Sequence, residues 1–119
     1  MKGQKGVVLV FFATWCVNCM RELPENMRFA EAAQKDNVIV LGINYKQAKE
    51  TVERLRKSQK VNYGLLLDTD GSVTAEKYGI RGLPHIIGIN AKGEIVYRGV
   101  SLPEKDKRDE FMHNLKQGL

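Results

Sequence analysis

The stretch that decides the fold lies at positions 15–19, where the sequence reads Trp-Cys-Val-Asn-Cys and holds both cysteines of the chain. A continuous apolar run at positions 7–13 precedes it and is typical of a strand buried on both faces. From position 17 to about position 34, apolar residues recur with helical spacing. The pattern therefore predicts a strand that delivers two cysteines to the first turn of a helix.

This placement favours redox chemistry at the two cysteines. The unpaired backbone N–H groups and the positive dipole end of a helix start stabilise a thiolate on Cys16. The thiolate is the form that attacks disulfides, and Cys19, about one helical turn away, can then displace a partner held on Cys16. We therefore predict that Cys16 is the nucleophile and Cys19 the resolving cysteine. Val17 and Asn18, which separate them, are expected to tune the redox properties of the pair.

The composition sets the class of protein and excludes several functions. A chain of 119 residues, 43% hydrophobic and 28% charged, is typical of one globular domain with a single core. The net charge of +5 is moderate, and basic residues alternate with acidic ones at positions 46–60 and 104–116. Because no basic stripe forms, we predict no nucleic-acid partner. No stretch of the sequence approaches the roughly 20 apolar residues of a membrane span. Two cysteines at this spacing suit a redox site inside or outside the cell.

The rest of the chain alternates strands and helices. Strands are predicted at 7–13, 38–44, 64–68, 85–90 and 94–100, and helices at 17–34, 47–59, 73–78 and 104–117. Ser72 or Asp70 is the predicted cap of the third helix. The short connection at 90–93 predicts an antiparallel hairpin. The order β-α-β-α-β-α-β-β-α predicts an α/β fold, a three-layer α/β/α sandwich around a mixed sheet.

Several segments together resemble a known family. They are residues 11–19 and 21–24 around the cysteines, residues 67–71, residues 78–84, and the hairpin strands 86–90 and 95–99 with Gly93 between them. These segments resemble the thioredoxin superfamily, and within it the TlpA/ResA-like thiol-disulfide oxidoreductases. The predicted helix at 47–59 lies where this branch carries an insertion. The resemblance extends over nearly the whole chain. It implies a single thioredoxin-like domain at residues 1–119, without the N-terminal hairpin that the family usually has.

The resemblance also implies a substrate-binding surface beside the dithiol. It implies that the Leu83–Pro84 peptide bond is cis, a rare conformation that usually has a purpose. The Leu83 backbone would then be free to pair with an incoming substrate strand. The alternative is a trans proline that merely opens a strand. Trp15 is expected to cover the dithiol and to contribute to the docking surface, a role compatible with that of a large core residue. The predicted substrate-binding residues are Trp15, Leu83, Pro84 and His85.

A third catalytic residue is predicted at Glu22. Helical spacing places Glu22 on the same face as Cys19, and the family often carries a glutamate at this position. A partly buried carboxylate there can accept the proton that Cys19 loses before it attacks. The alternative is an exposed glutamate that only complements the helix dipole. Val10 stands where thioredoxin has a buried aspartate, which again leaves Glu22 as the carboxylate candidate. Asn18 replaces the proline that more often precedes the second cysteine, so the redox potential is open.

His85 departs from the family pattern as well, because a threonine commonly follows the cis-proline. Its imidazole is predicted either to lie near the sulfurs and tune the Cys16 thiolate, or to start a strand with its ring hydrogen-bonded elsewhere. His113, on the last predicted helix, is expected to have no functional role.

The function predicted from these residues is that of an enzyme, a thiol-disulfide oxidoreductase that acts as a reductant of protein disulfides such as the haem-site cysteines of apocytochrome c. The electrons travel through the Cys16–Cys19 dithiol, so no organic cofactor and no metal are expected. The implied partners are protein substrates with disulfides and an upstream thiol electron donor such as a membrane thiol transporter. The protein is expected to be a monomer. Because the family is mostly extracytoplasmic, the resemblance implies a place in the bacterial cell envelope.

Two other functions compete with this one. Cys16, Cys19 and His85 could hold copper(I) or zinc, since soft thiolates select those ions, although no fourth ligand is evident. A peroxide-reducing enzyme is the other alternative, because peroxiredoxins share the overall fold. They need a peroxidatic cysteine in a different setting.

Overall fold

A five-stranded mixed sheet forms the centre of the structure, a computed structural model that describes residues 6–118. The strands are β1 (Gly6–Phe12), β2 (Val38–Tyr45), β3 (Gly64–Asp68), β4 (His85–Asn90) and β5 (Ile95–Gly99). The helices are α1 (Val17–Gln34), α2 (Lys49–Gln59) and α3 (Arg108–Leu115), with a π-helical turn at Val73–Lys77 and a 3-10 turn at Lys105–Lys107. In the described part of the chain, no helix is long and apolar enough to cross a membrane.

The order of strands in the sheet is β3-β2-β1-β4-β5. The first three are parallel, β4 runs antiparallel to β1, and β5 runs antiparallel to β4. Parallel pairing brings the ends of β1 and β2 to one edge of the sheet, where Phe12 lies opposite Asn44. The segment that contains the cysteines therefore leaves β1 at an edge where β2 also ends.

Both faces of the sheet are covered, which explains the continuous apolar sequence of β1. Successive side chains of a strand point to opposite faces. Val8 and Val10 pack on one face against α1 and α3, in a cluster that includes Phe29 and Phe111. Leu9 and Phe11 pack on the other face, with a cluster that includes Ile80 from the segment after the π-helical turn. The predicted fold class, a layered α/β structure on a mixed sheet, is confirmed.

Helix α1 has the predicted bounds and begins directly after Cys16. Cys16 has extended backbone angles, φ −85° and ψ 107°, and its Sγ accepts a hydrogen bond from the Cys19 backbone N–H at 3.2 Å. Cys16 therefore caps the helix in the manner of a serine or aspartate oxygen. Pro24 lies within the helix, which continues for another ten residues.

Two predicted helix starts differ in the structure. Helix α2 begins at Lys49, two residues later than predicted, because Ala48 is extended and the side chain of Gln47 is bound to another loop. The predicted helix at 104–117 is a 3-10 turn followed by α3. The guanidinium of Arg108, the first residue of α3, donates to the Pro103 carbonyl at 2.9 Å and pairs with Glu25 of α1. These two contacts, one of them with a residue 83 positions away, set the start of α3.

The predicted cap of the segment that begins at Val73 was wrong. Ser72 makes no side-chain cap, and Asp70 accepts only from the Ser72 backbone, at 3.0 Å. The cap is Asp68, the last residue of β3, which is 4% exposed. Its carboxylate accepts from the Val73 N–H at 3.2 Å, from the Thr74 N–H at 2.8 Å and from the Thr74 hydroxyl at 2.7 Å. This carboxylate ties β3 to the segment that leads toward Pro84.

We expect Asp68→Ala to lower the free energy of unfolding by about 2 kcal/mol, because it leaves buried donors without a partner. Asp70→Ala is the matched control two residues away. It should lower the free energy of unfolding by only about 0.5 kcal/mol, because Asp70 is exposed. Urea unfolding followed by circular dichroism measures both. Equal losses in the two variants would show that Asp68 is not the cap that holds this segment.

Candidate active site

A tight turn connects β1 to α1 and carries the first cysteine. The Cys16 N–H donates to the Ala13 carbonyl at 3.2 Å, so that Thr14 and Trp15 occupy the middle of the turn. Cys16 and Cys19 form a disulfide, with their Cα atoms 5.2 Å apart. The structure thus brings together the two residues that the spacing predicted as a redox pair. Both are buried, at 7% and 4% exposure.

The two sulfurs lie in different surroundings. The Cys16 sulfur faces the N-terminus of α1 and accepts the Cys19 N–H. The first turn of α1 contains no acidic side chain that would offset the helix dipole. This position therefore stabilises negative charge on Cys16 when the disulfide opens. Cys19 instead packs in an apolar cluster with Phe12 and Leu23, where charge is less well solvated.

The predicted cis peptide bond between Leu83 and Pro84 is confirmed. Pro84 is buried and lines the same small cavity as Cys19. Leu83 packs against the cluster that contains both cysteines. The cis bond therefore lies beside the dithiol, which is where the family resemblance placed it.

Trp15 extends from the turn into solvent, with 65% of its surface exposed. With Leu83 and Arg81 it lines an open cleft of about 120 Å³ on this side of the molecule. The exposed indole is therefore part of a surface that a partner can reach. It is not the large core residue that the alternative described.

A cavity of about 10 Å³ lies behind Cys19, lined by apolar side chains and by Asn26 and Tyr63. Val10 is one of the apolar residues. Burial raises the pKa of Tyr63 to about 12, and a hydrogen bond with Asn26 opposes that shift only in part. Tyr63 therefore keeps its proton near neutral pH. None of the described residues that line this cavity is a carboxylate.

Glu22 lies one turn after Cys19 on α1 and is half-buried. Burial raises its pKa, and the neighbouring Arg21 charge opposes the rise. Glu22 lines an open pocket together with Ser101 and Leu102, which follow β5, and its charge adds to the effect of burial in raising the pKa of Tyr97. This partial burial matches the environment expected of a proton acceptor and differs from that of an exposed glutamate at a helix start.

His85 begins β4, and its ring faces Arg98 of β5. Nε2 of His85 and Nη1 of Arg98 are 3.4 Å apart, and Nη2 of Arg98 donates to the Tyr78 carbonyl at 2.7 Å. Burial and the Arg98 charge lower the pKa of His85. Because a guanidinium can only donate, Nε2 accepts and the neutral ring carries its proton on Nδ1. The contact of this ring is thus with Arg98, as the second of the two predictions for His85 expected. His113 is exposed on α3, near Gln117.

The structure does not assemble the ligand set of the metal-binding alternative. Within residues 6–118, no three His, Cys, Asp or Glu side chains are grouped so that they could hold one metal ion. Cys16, Cys19 and His85 therefore do not form the cluster that this alternative required.

The sequence predictions missed a polar contact behind the turn. Gln47, from the loop between β2 and α2, binds both the backbone and the side chain of Thr14, and it also binds Asn44 at the end of β2. The sequence did contain a signal for this contact, because polar Thr14 lies just after β1 and polar Asn44 lies near the end of β2. Since β1 and β2 are parallel neighbours, their ends meet at the same edge of the sheet. Arg98 was missed as well, because its contact with His85 depends on the pairing of β4 with β5.

The chain is similar in sequence and in fold to known proteins. The chain is 30% identical over 118 residues to the thiol-disulfide oxidoreductase ResA of Bacillus subtilis, and the alignment covers 99% of this chain and 65% of that protein. It is 35% identical to the sporulation thiol-disulfide oxidoreductase A of the same organism, over 79% of this chain and 58% of that protein. The chain thus spans less than two thirds of the length of these curated relatives.

The structural similarity is equally extensive. The crystal structure of StoA from Bacillus subtilis matches with a TM-score of 0.76 and 28% identity, over 93% of this chain and 84% of that chain. The predicted resemblance to TlpA/ResA-like proteins of the thioredoxin superfamily is confirmed. Residues 1–98 match the model of the AhpC/TSA family. The chain, with its thioredoxin-like fold, therefore belongs to the AhpC/TSA family.

Proposed function

We propose that the protein is a thiol-disulfide oxidoreductase that exchanges its Cys16–Cys19 dithiol and disulfide with protein substrates. The observation that carries the proposal is the Cys16–Cys19 pair at the N-terminus of α1, beside the cis bond before Pro84. The names of the relatives ResA and sporulation thiol-disulfide oxidoreductase A support the same reaction class.

In the first step, the Cys16 thiolate attacks one sulfur of a substrate disulfide. A Cys16–substrate disulfide forms, the substrate S–S bond breaks, and the released substrate thiolate takes up a proton. The helix start stabilises the attacking thiolate. Trp15 and the backbone of Leu83 form the surface on which the substrate strand docks, because the indole and the cleft beside it are accessible to a partner.

In the second step, Cys19 loses its proton and its thiolate attacks the Cys16 sulfur. The Cys16–Cys19 disulfide forms and the second substrate thiolate leaves, so the substrate gains two electrons and the protein loses two. Glu22 is the proton acceptor for Cys19, directly or through one water. Its half-buried carboxylate lies one helical turn after Cys19 and has a raised pKa, and Tyr63, which lines the cavity behind Cys19, keeps its proton.

The narrower proposals follow from the resemblance. The protein acts as a reductant, and protein disulfides of the kind formed by apocytochrome haem-site cysteines are its substrates. An upstream thiol donor, such as a membrane thiol transporter, returns the electrons in the cell envelope. A reduction potential of about −270 mV would support the role of reductant, whereas a value of about −120 mV would identify an oxidant.

The two cysteines are expected to give different results when each is changed alone. Cys16→Ser should abolish reduction of a disulfide-bonded test protein, because the attacking sulfur is gone. Cys19→Ser should accumulate a mixed disulfide on Cys16, since nothing resolves it. Turnover with a chemical dithiol as electron source measures the first result, and intact mass spectrometry measures the second.

The same assay separates the proposal from peroxide reduction. Wild-type protein that consumes hydrogen peroxide quickly but leaves the test disulfide unreduced would refute the exchange reaction and favour the peroxide-reducing alternative. Full activity in Cys16→Ser would refute the role of Cys16.

Glu22→Gln should slow the second step by roughly tenfold to a hundredfold at neutral pH. This effect is at or below the low end of what a general base usually contributes, because a thiol can also lose its proton to water. In the wild type, the rate should rise with pH through the raised pKa of Glu22, above 4.5. The variant should lack that rise. Stopped-flow measurement of mixed-disulfide decay between pH 4 and pH 8 tests this.

Stability supplies the control for Glu22. A raised carboxyl pKa means that the folded protein binds the proton more tightly than the unfolded chain, so ionisation lowers stability as the pH rises through the folded pKa. Glu22→Gln should therefore leave the protein as stable as the wild type at pH 7, or slightly more stable. Glu31→Gln, at an exposed position of α1, should change neither property. An unchanged pH profile in Glu22→Gln would remove Glu22 from the mechanism.

A further inference from the structure

We propose that Gln47 is a positioning residue for the dithiol, which holds the turn before Cys16 in place when the disulfide is open. Gln47 lies outside the cysteine motif and on a different loop, 33 residues after Thr14. Its meaning for catalysis rests on the proposed oxidoreductase function. The contact itself can be tested without any disulfide substrate.

Gln47 makes two hydrogen bonds with Thr14. Oε1 of Gln47 accepts the Thr14 backbone N–H at 2.7 Å, and Nε2 of Gln47 donates to the Thr14 hydroxyl at 2.8 Å. Because a backbone N–H can only donate, the atom of Gln47 that faces it must be the oxygen, which fixes the orientation of the amide. Thr14 is the second residue of the turn that the Cys16 N–H closes on Ala13. A side chain of a neighbouring loop thus holds the turn two residues ahead of the nucleophile.

Asn44 fixes Gln47 from the other side. Nδ2 of Asn44 donates to Oε1 of Gln47 at 2.9 Å. Asn44 is fully buried at the end of β2, opposite Phe12 of β1. Its Oδ1 is the one buried side-chain oxygen or nitrogen without a hydrogen-bond partner in residues 6–118. An unpaired buried acceptor is unfavourable, and an apolar residue would avoid it. An asparagine here is therefore best explained by its donor, which orients Gln47.

The hydrogen bonds between Gln47 and Thr14 are expected to stabilise the reduced protein more than the oxidised one. In the oxidised form, the disulfide to Cys19 ties Cys16 to the first turn of α1. When that bond opens, the Cys19 and Met20 N–H groups still hold Cys16 at the helix start, but the turn before it is held by the Ala13–Cys16 hydrogen bond and by Gln47. Loss of the Gln47 contacts should therefore destabilise the reduced form more. It should also let the Cys16 sulfur drift from the helix start, which weakens the thiolate. Both effects make the protein more strongly reducing.

Gln47→Met tests this inference, because methionine has a similar length and makes neither hydrogen bond. The equilibrium constant for oxidation of the dithiol by glutathione disulfide, which is reduced to two molecules of glutathione, should rise roughly tenfold, which corresponds to a potential about 30 mV more negative. The Cys16 thiol of the reduced variant should ionise at a higher pH than that of the wild type. Amide hydrogen exchange at Thr14 should be several-fold faster. Gln59→Met, at an exposed glutamine that ends α2, is the matched control and should change none of these.

Thr14 variants provide a second test that does not depend on Gln47→Met. Thr14→Ser keeps the hydroxyl and should behave as the wild type. Thr14→Val removes the hydroxyl but keeps the backbone N–H, so its change in the equilibrium constant should be smaller than that of Gln47→Met. The double variant Gln47→Met with Thr14→Val should show no more than the change of Gln47→Met alone.

The outcomes separate this inference from the proposed function. Faster exchange at Thr14 with an unchanged potential and an unchanged Cys16 ionisation would overturn the inference, because Gln47 would then be merely structural. The inference is also overturned if the effects of the two single changes simply add in the double variant. If the wild type reduces no test disulfide, the proposed function fails. The Cys16 ionisation and Thr14 exchange still decide whether Gln47 positions the turn.

Discussion

The structure depends on one hydrogen bond, from the Cys19 N–H to the Cys16 sulfur, at the point where β1 gives way to α1. A helix start needs an acceptor for its first N–H groups, and this protein uses the reactive sulfur for that purpose. A thiolate is a better acceptor than a disulfide sulfur. The contact that begins α1 is therefore strongest in the state that attacks a substrate. Helix formation and thiolate formation support each other, because both use the same unpaired N–H groups and the same dipole.

The second cysteine has the opposite environment, and this asymmetry agrees with the order of the two sulfurs in the proposed reaction. Cys19 faces an apolar cluster and a cavity of about 10 Å³ without a carboxylate among its described lining residues. Val10 contributes only methyl groups there. Ionising Cys19 in this apolar setting is thus unfavourable, and the proposed second step therefore needs a base such as Glu22. A sulfur that ionises easily attacks first. A sulfur that needs help with its proton is suited to act later, when a mixed disulfide has already formed.

Periodic patterns in the sequence predicted the parts of the fold that local physics determines. The bounds of α1, β3 and β4 agree with the predictions because apolar spacing and flanking turn residues define them. The failures occur where a distant side chain decides. Asp68 is the cap instead of Ser72 or Asp70 because it is the residue buried next to the free N–H groups. The start of α3 depends on the pair between Arg108 and Glu25, 83 residues apart, and no local pattern encodes that distance.

The same division runs through the site. The cysteine motif is local, so the sequence alone predicts it, but the surroundings of the motif come from strand register. The antiparallel pairing of β1 with β4 sets Phe11 opposite His85. The residue after Phe11 and the residue before His85 are therefore neighbours, and these residues, Phe12 and Pro84, line the same cavity. The parallel pairing with β2 sets Phe12 opposite Asn44. A slip of one residue in either pairing would turn every side chain of β1 to the wrong face. The apolar residues of the sheet therefore determine where the cis-proline and the turn held by Gln47 lie relative to the dithiol.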